Sequence, residues 1–102
     1  MTAEPSGVES TTPIGELRWR ETGRVRGRIR SIRIHPVAGV ATLECVVADD
    51  TGGLYAVFPK RRAVDGVGLG RDVVLEGAVE SHRGNLAMID PTVTAVPAEE
   101  PA

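Results

Sequence analysis

Residues Ala41–Pro59 read ATLECVVADDTGGLYAVFP, two apolar runs on either side of Asp49-Asp50-Thr51-Gly52-Gly53. Alternation puts Leu43, Cys45 and Val47 on one face of the first run. In the second run it puts Leu54, Ala56 and Phe58 on one face and Tyr55 and Val57 on the other. A period of two over so short a run marks a half-buried strand. The residues between predict a hairpin turn, in which the aspartates cap N–H groups and the glycines accept positive φ without a Cβ clash. With five turn residues, a bulged or G1-type turn is expected rather than a bare two-residue loop. Pro59 cannot donate to the ladder and ends the second run.

Upstream, Gly23–His35 (GRVRGRIRSIRIH) reads as one long basic strand. Val25, Gly27 and Ile29 alternate with Arg24, Arg26, Arg28 and Arg30, and then the phase slips so that Ile32 and Ile34 are the apolar positions. A β-bulge produces such a slip, so a bend is expected near Gly27 and Ser31. Pro36–Val40 is a short loop. Ile14–Thr22 supplies a helical turn or an extended lead-in, with Ile14, Leu17 and Trp19 as candidates to plug an open end of the structure.

Downstream, glycines at 66, 68 and 70 restrict Lys60–Arg71 to a short helical turn or a loop. Asp72–Glu80 and Asn85–Asp90 are two further strands joined at Ser81-His82-Arg83-Gly84, and Pro91–Val96 is a short closing segment. Met1–Pro13 and Pro97–Ala102 are small, polar and aperiodic, and are expected to be disordered tails around one domain at 14–96.

Composition narrows the function classes. The 102 residues suffice for one small domain. A lone Cys45 excludes an intramolecular disulfide and a cysteine zinc site. No apolar run approaches the roughly 20 residues of a membrane span, and no secretory signal is visible, so a cytoplasmic protein is expected. The net charge of −2 conceals segregation: four acids lie in the tails, whereas residues 18–33 carry seven arginines against Glu21 alone. A mildly acidic chain with such a stretch retains a candidate nucleic-acid face.

Enzymatic motifs are missing from the sequence. Asp49 and Asp50 are adjacent, so in a strand they point to opposite faces, and the turn already gives them a structural role. No G-K-[ST] phosphate loop occurs, and two histidines far apart in sequence without an evident third ligand do not make a metal site. No enzyme activity, metal or cofactor is expected.

Five short strands with a helical or looped link between the third and fourth describe an all-β, five-stranded Greek-key barrel, the OB-fold. Gly23–Pro91 resembles OB-fold nucleic-acid-binding domains of the anticodon-binding and helicase-wedge type. The likeness lies in the V-x-G-x-I start, the D-D-T-G-G-x-x-x-V-F hairpin, the D-V-V-L-E-G-x-V strand and the terminal M-I-D-P. It is nearer to small stand-alone bacterial OB proteins with a basic run after the third strand, here Pro59-Lys60-Arg61-Arg62. The resemblance implies an aromatic near the end of strand three, where Phe58 stands, although alternation turns Phe58 inward.

The expected function is low-specificity binding of single-stranded or branched DNA or RNA. The candidate residues are Arg26, Arg28, Arg30 and Arg33 of the first strand, Tyr55 as a stacking platform, Lys60, Arg61 and Arg62 past the third strand, and Arg83 in the 4–5 loop. His35 and His82 read as loop residues. The competing expectation is a barrel that docks a protein partner or a second copy, favoured by the scarcity of exposed aromatics.

Overall fold

The computed structural model describes residues 10–97; the remaining parts of the expected tails, 1–9 and 98–102, lie outside the described residues. A 3-10 turn at Ile14–Glu16 precedes six strands: β1 (Thr22–Val37), β2 (Val40–Asp49), β3 (Gly52–Pro59), β4 (Asp72–His82), β5 (Asn85–Ile89) and β6 (Thr92–Ala95). Five of them close a ring in the order β1-β2-β3-β5-β4, with β4 returning to β1. All pairings are antiparallel except the short β3–β5 contact. The expected closing segment is a sixth strand, added to β4 outside the ring. The link from β3 to β4 takes the loop alternative, with turns closed by Val67 N–H to Val64 O and Arg71 N–H to Gly68 O.

Strand β1 has 16 residues, about 50 Å if straight, which is too long for one ladder of a small barrel. Its first half pairs with β4 from Thr22↔Ala78 to Arg28↔Asp72, and its second half pairs with β2. The register shifts between Ile29 and Ser31, where the phase slip predicted it, and Arg30 is the extra residue. Gly27 lies just before the bend. A Cβ there would come within 2.7 Å of Val47 Cγ1 and 2.9 Å of Ala48 O, so only glycine lets β1 cross β2 this closely.

Alternation survives folding in the interior. Val25, Ile29, Leu43, Cys45, Val47, Leu54, Ala56, Phe58, Val73, Leu75, Val79 and Met88 form one buried cluster. Burial pushes the Cys45 thiol up to about 11, helped by the neighbouring Glu44 carboxylate. The plug is Ile14, 1% exposed, with Leu17 packed beside it. Trp19 is not part of the plug. It is 57% exposed, because Ile14 and Leu17 already occupy that end of the barrel.

The β2–β3 hairpin corrects one expectation. Asp49 pairs with Gly52 and Ala48 with Gly53, so the connection is a two-residue loop, Asp50-Thr51. Neither Gly52 nor Gly53 adopts positive φ. Small size matters at Gly15 instead: a Cβ there would lie 2.7 Å from Thr51 O, whereas one on Gly52 would make only ordinary contact with Gly15. This close approach lets the turn hold the plug. Asp49 Oδ2 accepts from Ile14 N–H at 2.9 Å, and Thr51 Oγ1 accepts from Gly15 N–H at 2.8 Å. Asp49 Oδ1 accepts from Thr51 N–H, Thr51 Oγ1–H and Gly52 N–H at 2.7, 2.6 and 3.1 Å.

The other two hairpins do use positive φ. Ala38 and Gly39 (φ 53° and 80°) join β1 to β2, and Arg83 and Gly84 (φ 56° and 83°) join β4 to β5. Paired positive values are the type I′ pattern, whose twist suits a two-residue hairpin.

Two tests follow from these contacts. Gly84→Ala meets open space and should cost only the left-handed backbone term, about 1 kcal/mol. Gly27→Ala should cost about 2–3 kcal/mol through overpacking against β2. Urea unfolding of the two variants checks the order, and equal losses would rule out the crossing constraint. The second test concerns acid. Burial opposes ionisation of Asp49, but its hydrogen bonds from Ile14, Thr51 and Gly52 outweigh that and hold its pKa below the ordinary 3.8. The ionised form therefore stabilises the fold above about pH 4, and this contribution is lost as pH falls through the lower folded-state value. Asp49→Asn should flatten the fall in stability between about pH 4 and pH 2, followed by urea midpoints across that range.

Candidate nucleic-acid interface

In the OB-fold, ligands most often lie across the outer face of strands two and three, between the β1–β2 and β4–β5 loops. Cross-strand register builds that face in this protein. Arg33 stands opposite Glu44 and Glu44 opposite Val57, while Ser31 stands opposite Val46 and Val46 opposite Tyr55. Tyr55 is half-buried and faces outward as its parity predicts. Phe58 is 1% exposed and belongs to the core, so it presents no stacking surface.

A buried acid occupies the middle of this face. Glu44 is 3% exposed, and two histidines enclose it. His82, the last residue of β4, places Nε2 2.5 Å from Glu44 Oε2, a geometry in which the imidazole N–H donates to the carboxylate. His35, near the end of β1, brings its buried Nε2 to 3.4 Å from Oε1 without hydrogen-bond alignment. The His82 ring also meets Tyr55 edge to face, with centroids 5.9 Å apart. One carboxylate thus bonds the end of β4 and lies beside the β1 arm, with β2 between them. Among the described residues, no three His, Cys, Asp or Glu side chains have metal-holding geometry.

Alternation along β2 shows that Glu44 points outward, but nothing in the sequence shows that His35 and His82 fold over it. The residues are 9 and 38 positions apart from Glu44 and meet only through closure of the barrel. These histidines are members of a clasp, which corrects their reading as ordinary loop residues.

The predicted cations divide into separate groups. Arg33 and Tyr55 share the β2–β3 face, and Arg83 sits at the tip of the β4–β5 hairpin. Lys60 follows β3, where its N–H bonds Ala41 O at 2.9 Å near the β1–β2 end. Arg61 instead lines a cleft with Phe58, Val64, Asp65, Asp90 and Pro91, and Arg62 is exposed in the loop. Arg26 and Arg28 lie on the β4 flank, where Asp72 reaches them at 3.7 and 3.1 Å. Arg24 likewise reaches Glu76 at 3.5 Å. Arg30 joins Arg26 and Arg28 along a cleft of about 360 Å³ that also contains Asp49, Asp50 and Asp72. Three cations there face three anions, so the positive potential expected from strand one is largely balanced locally.

The clasp makes a stability prediction. His82→Ala leaves Glu44 buried without its hydrogen-bond partner and should lower unfolding free energy by about 2–3 kcal/mol. His82→Gln, which retains a donor, should lose less. Urea denaturation of both variants tests this, and an alanine variant as stable as the parent would mean that the clasp contributes nothing net.

No protein-family model matches the chain, and no curated protein is similar to it in sequence. Among solved structures, the chain is similar to the second OB-fold domain of replication protein A from Methanococcus maripaludis, determined by solution NMR. The TM-score is 0.66 at 15% sequence identity, over 89% of this chain and 99% of that one. Together with the closed five-strand ring, this likeness shows that the chain has the OB-fold.

Proposed function

We propose that this protein is a non-enzymatic module that binds single-stranded or branched nucleic acid with little sequence preference across the β2–β3 face. The observation that carries the reading is the placement of Tyr55. It is an outward aromatic between the two hairpin loops, with Arg33 on the same face and Arg83 on the overhanging hairpin. OB barrels that hold single strands combine a cationic groove with such stacking platforms. The similar archaeal domain belongs to a protein named for replication, which supports the same reading. So does the resemblance of Gly23–Pro91 to OB-fold nucleic-acid-binding domains of the anticodon-binding and helicase-wedge type. Phosphates would be held by Arg33, Lys60 and Arg83, with the remaining strand-one arginines contributing less because Asp72 competes for them.

A second reading, a barrel that docks a protein partner or another copy, is favoured by one observation. Glu44 occupies the centre of the face, and exposed apolar side chains Ile34 and Val40 lie on the adjoining arm. Salt dependence separates the two readings, since an apolar interface responds weakly to ionic strength.

The test is fluorescence anisotropy of labelled single-stranded DNA, single-stranded RNA, duplex and forked substrates at two salt concentrations. Neutralising about four phosphates predicts a salt slope near −3 and a roughly fifty-fold fall in affinity between 50 and 200 mM. Replacing Arg33 and Arg83 by alanine should reduce the slope by about 1.4, whereas replacing Arg26 and Arg28 should change it less. Absence of binding to every substrate at the lower salt would overturn the nucleic-acid reading and leave the protein-docking barrel.

A further inference from the structure

We infer that Trp19 is a second stacking platform, which takes one base of the bound strand beside the β4 edge. Trp19 is the chain's single tryptophan, yet it is 57% exposed. Its position is fixed. Arg20 N–H bonds Val79 O and Val79 N–H bonds Glu21 O, each at 2.8 Å, so the lead-in is laced to β4 on either side of the turn. Arg20 adopts φ 76°, a left-handed conformation that costs a non-glycine residue about 1–2 kcal/mol. That strained residue lies immediately after the indole, and such strain gathers where a side chain must be presented.

The surroundings suit a base better than a phosphate. The Arg20 guanidinium lies 4.9 Å from the indole centroid, a cation–π contact on a ring that remains mostly open to solvent. A cleft of about 430 Å³ runs beside it, lined by Trp19, Arg20, Ala78, Val79, Glu80 and Ser81. Arg18 and Arg20 are matched by Glu21 and Glu80, so the site has little net charge with which to attract a phosphate. A planar, polarisable base is the ligand that an exposed indole with balanced charges accommodates, because stacking needs a π-face and no net charge.

Glu80 of this cleft shares its β4 register row with the face already described. Register gives Tyr55↔Ala87 and Ala87↔Glu80, so the edge of β4 is two strands from Tyr55 and the lead-in one further. At about 4.8 Å per strand, Tyr55 and Trp19 are separated by roughly 14 Å along the sheet. One strand of a few nucleotides spans that distance, within the usual footprint of an OB barrel. The inference rests on the single-strand reading and extends it to a track with two aromatic stations.

Because the chain has one tryptophan, indole emission excited at the red edge, where tyrosine does not absorb, reports this site alone. The experiment titrates the full chain with an unlabelled single strand of about 12 nucleotides and follows that emission. A labelled copy of the same strand is followed by anisotropy in parallel. Quenching with the same midpoint as the anisotropy change is expected. Trp19→Ala should weaken binding about tenfold while leaving the salt slope unchanged, and Trp19→Phe should restore most of the affinity. Binding that leaves the emission unaltered, or a Trp19→Ala variant of parental affinity, would overturn this inference and leave the β2–β3 reading standing. Emission that shifts with protein concentration alone would also overturn it, by assigning the indole to self-association. No anisotropy change with any strand would remove both readings together.

Discussion

One extra residue in one strand governs most of this structure. β1 must belong to two ladders, with β4 in its first half and β2 in its second, and a flat strand cannot serve both in so small a ring. Arg30 supplies the bulge, and Gly27 lets the bent strand cross β2 within van der Waals reach. The same bulge reverses which side chains point outward. Before it, Arg24, Arg26 and Arg28 lie over β4, where Asp72 and Glu76 balance them. Beyond it, Arg33 lies over β2. A row of arginines that looks continuous in sequence is therefore divided between two flanks with different electrostatic surroundings.

Two carboxylates complete the barrel from opposite sides of the β2 strand. Asp49 gathers the N–H groups of the hairpin turn and of Ile14, which converts a short lead-in into a plug without a long helix to carry it. Glu44 does the corresponding work on the outer face, hydrogen-bonded to His82 with the His35 ring packed beside it. A buried carboxylate is costly unless it is satisfied. Here His82 provides that satisfaction, and the same ring packs edge to face against Tyr55. The face proposed to bind a nucleic-acid strand is thus held in place before any ligand arrives.

The distribution of aromatics bears on how such a face would work. A chain with one tyrosine, one phenylalanine and one tryptophan has few stacking platforms to offer. Phe58 is spent in the core, so Tyr55 and Trp19 are the aromatic rings that reach the surface. Their cationic neighbours differ, with Arg33 on the face that carries Tyr55 and Arg20 stacked on Trp19. In the proposed track, phosphate attraction and base stacking are therefore supplied at different places along one strand.

Local patterning in the sequence determined the strands, their inward faces and the bulge. Side-chain direction in a strand follows from position parity, and a phase slip cannot be hidden from that count. Leu43, Cys45, Val47, Leu54, Ala56 and Phe58 could be placed inside, and Tyr55 outside, from alternation alone. Tertiary structure decided everything that depends on closing the ring. The partners of Arg26 and Arg28, the meeting of His35, Glu44 and His82, the use of Gly15 for close approach, and the exclusion of Trp19 from the plug belong to this second set. Each arises between residues far apart in the chain, where spacing carries no information about distance. Only the barrel's closure, with its limited volume and its demand that buried polar groups find partners, brings them into contact.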